Sequence, residues 1–458
     1  METSLQKTYK YKTFNFDSYE FNKDTLKLEL NYSLDNEIKF TETLQFEHKI
    51  DFKHINEGNL NTILKNVHLA FGVSYYKTYC PKNISLPFYK LTENEANFWS
   101  AFYKNSLGEF CFKNELDPSI IATFPFNNDY TLKAFNVELK KRYLLPIGGG
   151  KDSILSANIL KHLGKDTTAF VLKPHKLIDA GIELLGLDAI RINRVLCPNI
   201  FELNKQGALN GHVPITGFIS FLLILSAYLY DFSDVVLSLE NSASEEQAYI
   251  GDFKVNHQYS KSIIFEEAFI KHLKENISKD FNYYSLLRPF NELLIAKLFA
   301  SDALDCKKHF TSFSSCNKNF TIGNPLKERW CANCPKCAFV YLLFAPFLSD
   351  DDLNLIFEDN FLAKTALKET YLELLGLREH RPFECVGSLD ETIVSFYLLY
   401  KQKRFLDTEP LKEFIKNIIS TKTISELEAL SKRVMSIQKE HFITDDKIIK
   451  FLKKLSLR

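Results

Sequence analysis

The sequence lacks an excess of charge of either sign. Its 458 residues include 57 Lys plus Arg and 57 Asp plus Glu, so the formal net charge at pH 7 is zero. No overall positive field is present that would collect nucleic acid or coat an anionic membrane. We therefore expect no nucleic-acid partner and no membrane partner, and the search for function turns to small molecules.

Long hydrophobic runs are also missing. The most apolar segment, residues 215–230, contains two serines, a threonine and a glycine and stops at Asp231, about four residues short of a bilayer span. We expect a buried helix there. The first residues carry no apolar run of signal-peptide length, which predicts a cytoplasmic protein.

Cysteine is too scarce for a disulfide scaffold, with nine residues in the whole chain. Five are scattered, but four fall close together, at Cys316, Cys331, Cys334 and Cys337. This spacing brings four thiolates within reach of one tetrahedral ion, and zinc is the expected metal. Tyr341 stands where a ferredoxin-type run has its fourth cysteine, which disfavours an iron-sulfur cluster. Free thiols remain the alternative.

The hydrophobic pattern predicts an α/β protein. Residues 8–53 alternate with a period of two, which indicates a small antiparallel sheet with one solvated face. From Arg142 onward, short apolar strands alternate with helices, which predicts a doubly wound parallel sheet. The predicted domains are an N-terminal α+β domain (1–138), a nucleotide-binding domain (139–305), a cysteine-cluster and substrate region (306–400) and a C-terminal helical extension (401–458).

Three glycines separate a predicted strand from the helix that follows it: Gly148, Gly149 and Gly150. Glycine accepts positive φ and lets bare backbone amides approach a ligand. Amides at the start of a helix, together with the helix dipole, suit a phosphate or pyrophosphate. A tight turn without a ligand is the plainer alternative.

The residues around these glycines distinguish between nucleotide-binding loops. A Walker loop needs Gly at position 145 and Ser or Thr after the lysine, where Leu145 and Asp152 stand. A dinucleotide-binding loop needs an acidic residue ending the next strand, and residues 172–174 offer none. The loop instead resembles Ser-Gly-Gly-x-Asp-Ser of the ATP-pyrophosphatases, which include NAD synthetase, GMP synthetase and 7-cyano-7-deazaguanine synthase, with Gly148 in place of the first serine.

This resemblance implies a fold of the adenine nucleotide alpha hydrolase-like type. It also implies an enzyme that splits ATP between its α- and β-phosphates and passes AMP to an oxygen of its substrate. The loop amides and Ser153 are then expected to hold the leaving pyrophosphate. Asp152 is expected to help hold magnesium, and Lys151 to neutralise developing phosphate charge.

Further polar strings, which no hydrophobic core requires, narrow the resemblance; they occupy residues 210–214, 240–245, 256–262, 285–289, 330–337 and 381–387. Together with the glycine loop they resemble the MurL-type UDP-N-acetylmuramoyl-L-alanyl-L-glutamate epimerase family. That resemblance implies ATP-dependent inversion of the terminal L-glutamate of a peptidoglycan precursor, with AMP and diphosphate as products.

Inversion needs two groups that exchange the α-proton on opposite faces of the substrate. His212 and His257 can titrate near neutral pH, and Cys385 is a thiol alternative. Lys261 and Arg288, together with His257, are candidates to bind a substrate carboxylate or diphosphate. For each of these residues a structural role, such as an ordinary salt bridge, is the competing interpretation.

Glu240 and Glu245 follow a predicted strand at its carboxyl end, where doubly wound folds bind their ligands. They are candidates to complete the magnesium site or to bind the ribose of ATP. Carboxylates that merely stabilise the N-terminus of a helix are the alternative.

Two other functions stay open. One is a different adenylating enzyme, either a ligase like 7-cyano-7-deazaguanine synthase or a tRNA-modifying enzyme, and the neutral net charge argues against the tRNA version. The other is a nucleotide-binding module without catalysis, which the intact Lys-Asp-Ser after the glycines disfavours.

Overall fold

The computed structural model describes residues 4–320, 326, 328–378 and 381–457. Its strands are β1 (Thr13–Asn22), β2 (Lys27–Leu34), β3 (Ile38–Phe46), β4 (Asn83–Ser85), β5 (Tyr143–Pro146), β6 (Thr167–Leu172), β7 (Ala189–Val195), β8 (Asp234–Leu237), β9 (Ala248–Ile250), β10 (Phe253–Val255) and β11 (Asn282–Ser285).

The first nine helices lie before or within the strand-rich part of the chain, and they are α1 (Ser4–Lys7), α2 (Glu57–Phe71), α3 (Val73–Tyr76), α4 (Glu93–Ser106), α5 (Gly108–Lys113), α6 (Lys151–His162), α7 (Lys176–Leu185), α8 (Asn199–Lys205) and α9 (Ile215–Tyr230). The later helices are α10 (Ile263–Asn276), α11 (Glu292–Ala300), α12 (Pro335–Phe344), α13 (Asp350–Phe357), α14 (Lys368–Leu374), α15 (Leu389–Lys401), α16 (Glu409–Phe414), α17 (Ile424–Val434) and α18 (Asp446–Ser456).

A large mixed sheet organises the molecule, with the strand order β11-β8-β5-β6-β7-β3-β2-β1-β4. The five strands from β11 to β7 run parallel to one another. Their short apolar sequences are typical of strands buried on both faces. In β5, Leu144 and Leu145 contribute to two different hydrophobic cores, because successive side chains point to opposite faces of a sheet. The prediction of an α/β protein with a mostly parallel sheet is confirmed.

The N-terminal strands extend this same sheet. β1, β2 and β3 pair antiparallel, as the period-two pattern predicts. β3 then pairs antiparallel with β7, with Phe46 opposite Ile192. Without β3, the edge of β7 would present unpaired backbone groups. The sequence pattern shows strands but not their partners, so this continuity was not predicted.

The most apolar segment forms α9, and twelve of its sixteen residues are buried. The prediction of a buried helix is confirmed. Across the described residues, no helix combines the length and the apolarity needed to cross a membrane.

The C-terminal segment, predicted as a polar, Lys-rich helical extension, is helical. Its apolar stripe is nevertheless part of the main core, since Leu411, Phe414 and Leu452 are buried there. An ion pair of 2.5 Å between Asp445 and Lys165 also ties the segment to the sheet domain. The predicted domain boundaries stay a prediction.

Candidate active site

The glycine loop connects β5 to α6 and has a strained turn that only glycine accepts easily. Gly149 has a φ of +81°, and a Cβ there would lie 3.2 Å from the side chain of Ile178. The carbonyl of Gly149 accepts a 3.0 Å hydrogen bond from the amide of Ser314. Gly150 is the N-cap residue of α6 and makes no side-chain cap. The backbone amides at the start of α6 therefore have no capping side chain from the N-cap residue, as is usual where a helix start binds an anion.

Lys151, the first residue of α6, is fully buried, and its ammonium pairs with two carboxylates, those of Asp152 (2.7 Å) and Glu292. Glu292 also binds the ammonium of Lys336 at 3.1 Å. Burial opposes the charged form of Lys151, but its two carboxylate partners outweigh that effect and raise the lysine pKa. Two fixed cations therefore stand beside the glycine loop, with one carboxylate between them.

The other loop residues differ in their exposure to solvent. The side chain of Asp152 is 28% exposed. Ser153 donates a 3.2 Å hydrogen bond to the carbonyl of Gly150. Gly148 is exposed, and an added Cβ there would meet no atom within 4 Å. The position that carries serine in the ATP-pyrophosphatase motif thus has room for a side chain, and no steric contact requires glycine.

A second polar cluster centres on Glu109 of α5. Its Oε2 atom lies 3.1 Å from Nδ1 of His257 and 3.2 Å from Nδ1 of His212. On the other side of the ring, Nε2 of His257 lies 3.8 Å from Sγ of Cys385. The ammonium of Lys261 donates to the same sulfur at 2.9 Å. The structure therefore brings together four of the predicted site residues from loops far apart in the sequence.

The charges in this cluster are set by burial and by hydrogen bonding. Burial disfavours ionisation of Cys385, but the charge of Lys261 and the hydrogen bond to His257 outweigh it and lower the thiol pKa to about 5. Burial likewise opposes the charged form of His257, yet its bonds to Cys385 and Glu109 raise its pKa. His212 differs, because burial lowers its pKa to about 4. The interactions within the cluster therefore favour the thiolate of Cys385 and the imidazolium of His257, whereas burial favours the neutral form of His212.

The two clusters are electrostatically connected. The charge of Lys336 also helps to lower the pKa of Cys385. Conversely, the carboxylate of Glu292 is among the charges that raise the pKa of Lys261. The charged residues beside the glycine loop are therefore near enough to Lys261 and Cys385 for their charges to interact.

Arg288, predicted to clamp the substrate, has no exposed surface. Its guanidinium donates to Glu266 at 2.9 Å and to the carbonyl oxygens of Glu240 and Lys261 at 2.5 and 2.7 Å. These contacts favour the alternative of a structural ion pair that fixes two site loops. Direct binding of substrate by Arg288 is not supported by them and stays a prediction.

Glu240 caps a short 3-10 helix, since its Oε2 accepts from the amide of Ala243 at 2.9 Å and from the hydroxyl of Ser242 at 2.8 Å. This matches the helix-capping alternative for that residue. Glu245 lies 3.5 Å from Arg381 and is 47% exposed. Neither contact tests the predicted role in ribose or magnesium binding.

The four clustered cysteines meet in space, with their sulfur atoms all within 4.8 Å of one another. The sulfurs of Cys331 and Cys337 are 3.7 Å apart. Zinc-thiolate bonds of about 2.3 Å in a tetrahedron give sulfur-sulfur distances of about 3.8 Å. The donor set and its dimensions therefore fit zinc. Cys334 is also the N-cap of α12, the helix that carries Lys336.

Two site residues were missed in the sequence. Glu109 lies in the N-terminal region, in a segment with no motif, and only the fold brings it to the histidines. Glu292 follows the 285–289 string by three positions and is the first residue of α11. An isolated acidic residue at a helix start is common, so neither position carries a signal that pattern reading could detect.

Comparison with known proteins decides the family. Residues 5–286 match the MurL N-terminal domain, and residues 312–429 match the MurL C-terminal domain. The chain belongs to the MurL family. This confirms the family predicted from the sequence, and with it the prediction of an epimerase.

Three curated relatives of this MurL protein carry the name UDP-N-acetyl-alpha-D-muramoyl-L-alanyl-L-glutamate epimerase. The protein from Xanthomonas oryzae pv. oryzae is 38% identical over 389 residues, which cover 85% of each chain. The protein from a Micromonospora species is 33% identical over 89% of this chain and 91% of its own. The Salinispora tropica protein is 33% identical over 89% of each chain.

Proposed function

We propose that this protein inverts the terminal L-glutamate of UDP-N-acetylmuramoyl-L-alanyl-L-glutamate in a reaction that consumes ATP and releases AMP and diphosphate. One observation carries the proposal: the charged residues beside the glycine loop interact electrostatically with a second cluster that holds a thiol and two imidazoles. The first cluster suits phosphate chemistry and the second suits proton exchange. The names of the curated relatives supply the substrate.

The position of the loop in the sheet supports nucleotide binding. The strand order reverses between β5 and β8, because β6 and β7 lie on one side of β5 while β8 and β11 lie on the other. Ligands of open α/β sheets bind at such a reversal, outside the carboxyl ends of the strands. The glycine loop follows β5 there, and Glu240 follows β8. This arrangement supports a doubly wound fold of the ATP-pyrophosphatase type.

Adenylation makes the inversion chemically accessible. Removing the α-proton beside an ionised carboxylate would place two negative charges next to each other. Transfer of AMP to that carboxylate removes its charge, and the resulting acyl-adenylate can delocalise the carbanion as an enolate. A positioned base of ordinary pKa is then sufficient. Reprotonation from the opposite face and hydrolysis give the D-epimer.

The residues divide between the two steps. The amides of Gly148, Gly149 and Gly150 and the hydroxyl of Ser153 would hold the leaving diphosphate, while Lys151 neutralises its charge. In the second cluster, His212, His257 and Cys385 are the candidate groups that act at the glutamate α-carbon, and Lys261 would orient the substrate.

Two metals fit the residues present. Magnesium, which prefers oxygen ligands and substrate phosphates, would be held by Asp152, whose carboxylate is partly exposed beside the loop. It would supply positive charge to the phosphates. Zinc would be held by the four cysteines and would fix the start of α12, and hence Lys336, against Glu292.

Incubation with ATP, magnesium and UDP-N-acetylmuramoyl-L-alanyl-L-glutamate in deuterated water tests the proposal. We expect AMP to form together with deuterium at the glutamate α-carbon. AMP without deuterium would instead indicate a ligase that acts on the same acid, and no turnover would indicate a nucleotide-binding module.

The Asp152→Ala variant should release no AMP, since it loses the metal ligand and keeps the fold.

A further inference from the structure

Cys385, His257 and Glu109 form a connected series of three side chains. The thiol sulfur lies 3.8 Å from Nε2 of His257, and Nδ1 of the same ring lies 3.1 Å from the carboxylate of Glu109. A nucleophile next to an imidazole that a carboxylate orients is the arrangement of covalent catalysis. Cys385 is half-buried, so a substrate carbonyl can reach it.

Lys261 adds a feature that simple proton exchange does not require. Its ammonium donates to the Cys385 sulfur at 2.9 Å. With His257, it gives the thiolate two cationic neighbours, which lower the thiol pKa to about 5. A thiol with such a low pKa gives a thiolate that is a weak base toward a C–H bond. Its thiolate form is nevertheless the one present at neutral pH, and it is able to attack an activated acyl group.

Building on the proposed adenylation, we infer that Cys385 takes the glutamyl acyl group from AMP as a thioester, and that the α-proton is exchanged on this thioester. The thiolate attacks the acyl carbon and forms the C–S bond. The bond from the acyl carbon to the phosphate oxygen breaks, and AMP leaves with the electron pair. His257 removes the α-proton, a proton from solvent is added to the opposite face of the enolate, and His257 releases the proton it removed to solvent. Water then attacks the thioester, His257 accepts the water proton, and the sulfur leaves as a thiolate.

Acylation of Cys385 changes the charges around the substrate so that removal of the α-proton is favoured. Once the sulfur is bound to the acyl group, it no longer carries the negative charge that favours protonated His257. The pKa of His257 then falls, and its neutral ring can accept the α-proton. The ammonium of Lys261 loses its anionic partner at the same moment and faces the oxygen on which enolate charge develops. The thioester also keeps the substrate in place during inversion.

The test is a mass measurement on the intact protein during a single turnover. Protein in excess over UDP-N-acetylmuramoyl-L-alanyl-L-glutamate is mixed with ATP and magnesium, quenched with acid and unfolded, so that an acyl-adenylate that is merely bound is lost. We expect an adduct with the mass of the substrate minus one water, located at Cys385 and released by neutral hydroxylamine. Cys197→Ala, which removes a buried cysteine outside the site, should keep the adduct.

The Cys385→Ala variant provides the second measurement. It should form no adduct and lose α-deuterium exchange by more than about 10³-fold, yet keep the substrate-dependent exchange of labelled pyrophosphate into ATP. AMP formation and α-deuteration by the wild type without any adduct, or α-deuteration by Cys385→Ala at the wild-type rate, would overturn the thioester alone. Absence of AMP would instead overturn the proposed function itself.

Discussion

Glu292 and Lys151 form an ion pair in which both side chains are almost completely withdrawn from solvent, with 4% and 0% exposure. The pair lies behind the glycine loop, and the second oxygen of Glu292 holds Lys336 at 3.1 Å. One carboxylate from the start of α11 therefore positions a lysine of the glycine loop and a lysine of the cysteine motif. Burial opposes the charged form of Lys151, and the carboxylates of Asp152 and Glu292 together offset that cost.

Replacing Glu292 with Gln should damage both stability and adenylation. The change leaves two buried ammonium groups with a single remaining carboxylate, that of Asp152, and such losses cost about 3–5 kcal/mol. Urea unfolding measures the first effect. Substrate-dependent pyrophosphate exchange into ATP should fall more than about tenfold.

The exposed ion pair between Lys401 and Glu428 offers a control for this variant. Glu428→Gln should change the free energy of unfolding by less than about 0.5 kcal/mol and leave exchange unaltered. Wild-type stability and wild-type exchange in Glu292→Gln would show that the buried pair does not position Lys151.

Glu109 should be needed for proton exchange at the glutamate α-carbon and not for the reaction with ATP. Replacing it with Gln removes the carboxylate shared by His212 and His257, so the charged form of His257 loses a partner. Deuterium exchange at the glutamate α-carbon should fall by about 10²–10⁴-fold, while pyrophosphate exchange continues. Glu115→Gln, an exposed neighbour just beyond α5, is the matched control. Equal losses of α-deuteration and of pyrophosphate exchange would show instead that Glu109 has a structural role.

The dependence of kcat/KM for α-deuteration on pH should be bell-shaped. The lowered pKa of Cys385, about 5, means that the thiolate exists above that value and is lost as the pH falls through it. The raised pKa of His257 means that the imidazolium is present at lower pH and is lost as the pH rises through that pKa. Both forms are required in the free enzyme, so each loss defines one limb.

His257→Asn should move the acidic limb of this profile to higher pH, because the thiolate of Cys385 loses one of its two cationic neighbours. Exchange measured across the pH range in both proteins checks the shift. An acidic limb that stays in place would mean that His257 does not influence the thiol.

The purified protein should contain about one zinc per chain, bound by the four clustered cysteines. Cys316→Ser removes one thiolate from this set, so both zinc content and thermal stability should fall. Cys197→Ala, outside the cluster, should leave the zinc content unchanged. Zinc well below one per chain in the wild type would contradict the site.

Local sequence patterns were sufficient for much of the fold. The apolar run at 215–230 became α9 with the same bounds, and the strands that precede the glycine loop and α7 were located within a residue or two. A segment buried on all sides reads as a continuous apolar run, and a segment buried on one face reads as a periodic pattern. The short edge strand β11 was missed, since its sequence Asn-Tyr-Tyr-Ser lacks the aliphatic run that marks β5 and β8. The pairing of β3 with β7 depends on contacts between distant segments.

For the candidate site, too, local sequence patterns identified some residues, while those that depend on contacts between distant segments were missed. His212, His257, Lys261 and Cys385 were identified from polar strings that a core does not need, and the structure brings their side chains together. Glu109 was missed because its partners are more than a hundred residues away. The sequence could not show that Arg288 is buried against Glu266, since burial of a charge depends on which segment supplies the opposite charge.

The central claim is that the glycine loop holds the pyrophosphate end of ATP while AMP passes to the substrate acid. Exchange of labelled pyrophosphate into ATP tests it most directly, because it reports that reversible step alone. The account predicts that label enters ATP only when UDP-N-acetylmuramoyl-L-alanyl-L-glutamate is present, and that Asp152→Ala abolishes the exchange. No incorporation by the wild type, or undiminished incorporation by Asp152→Ala, would contradict it.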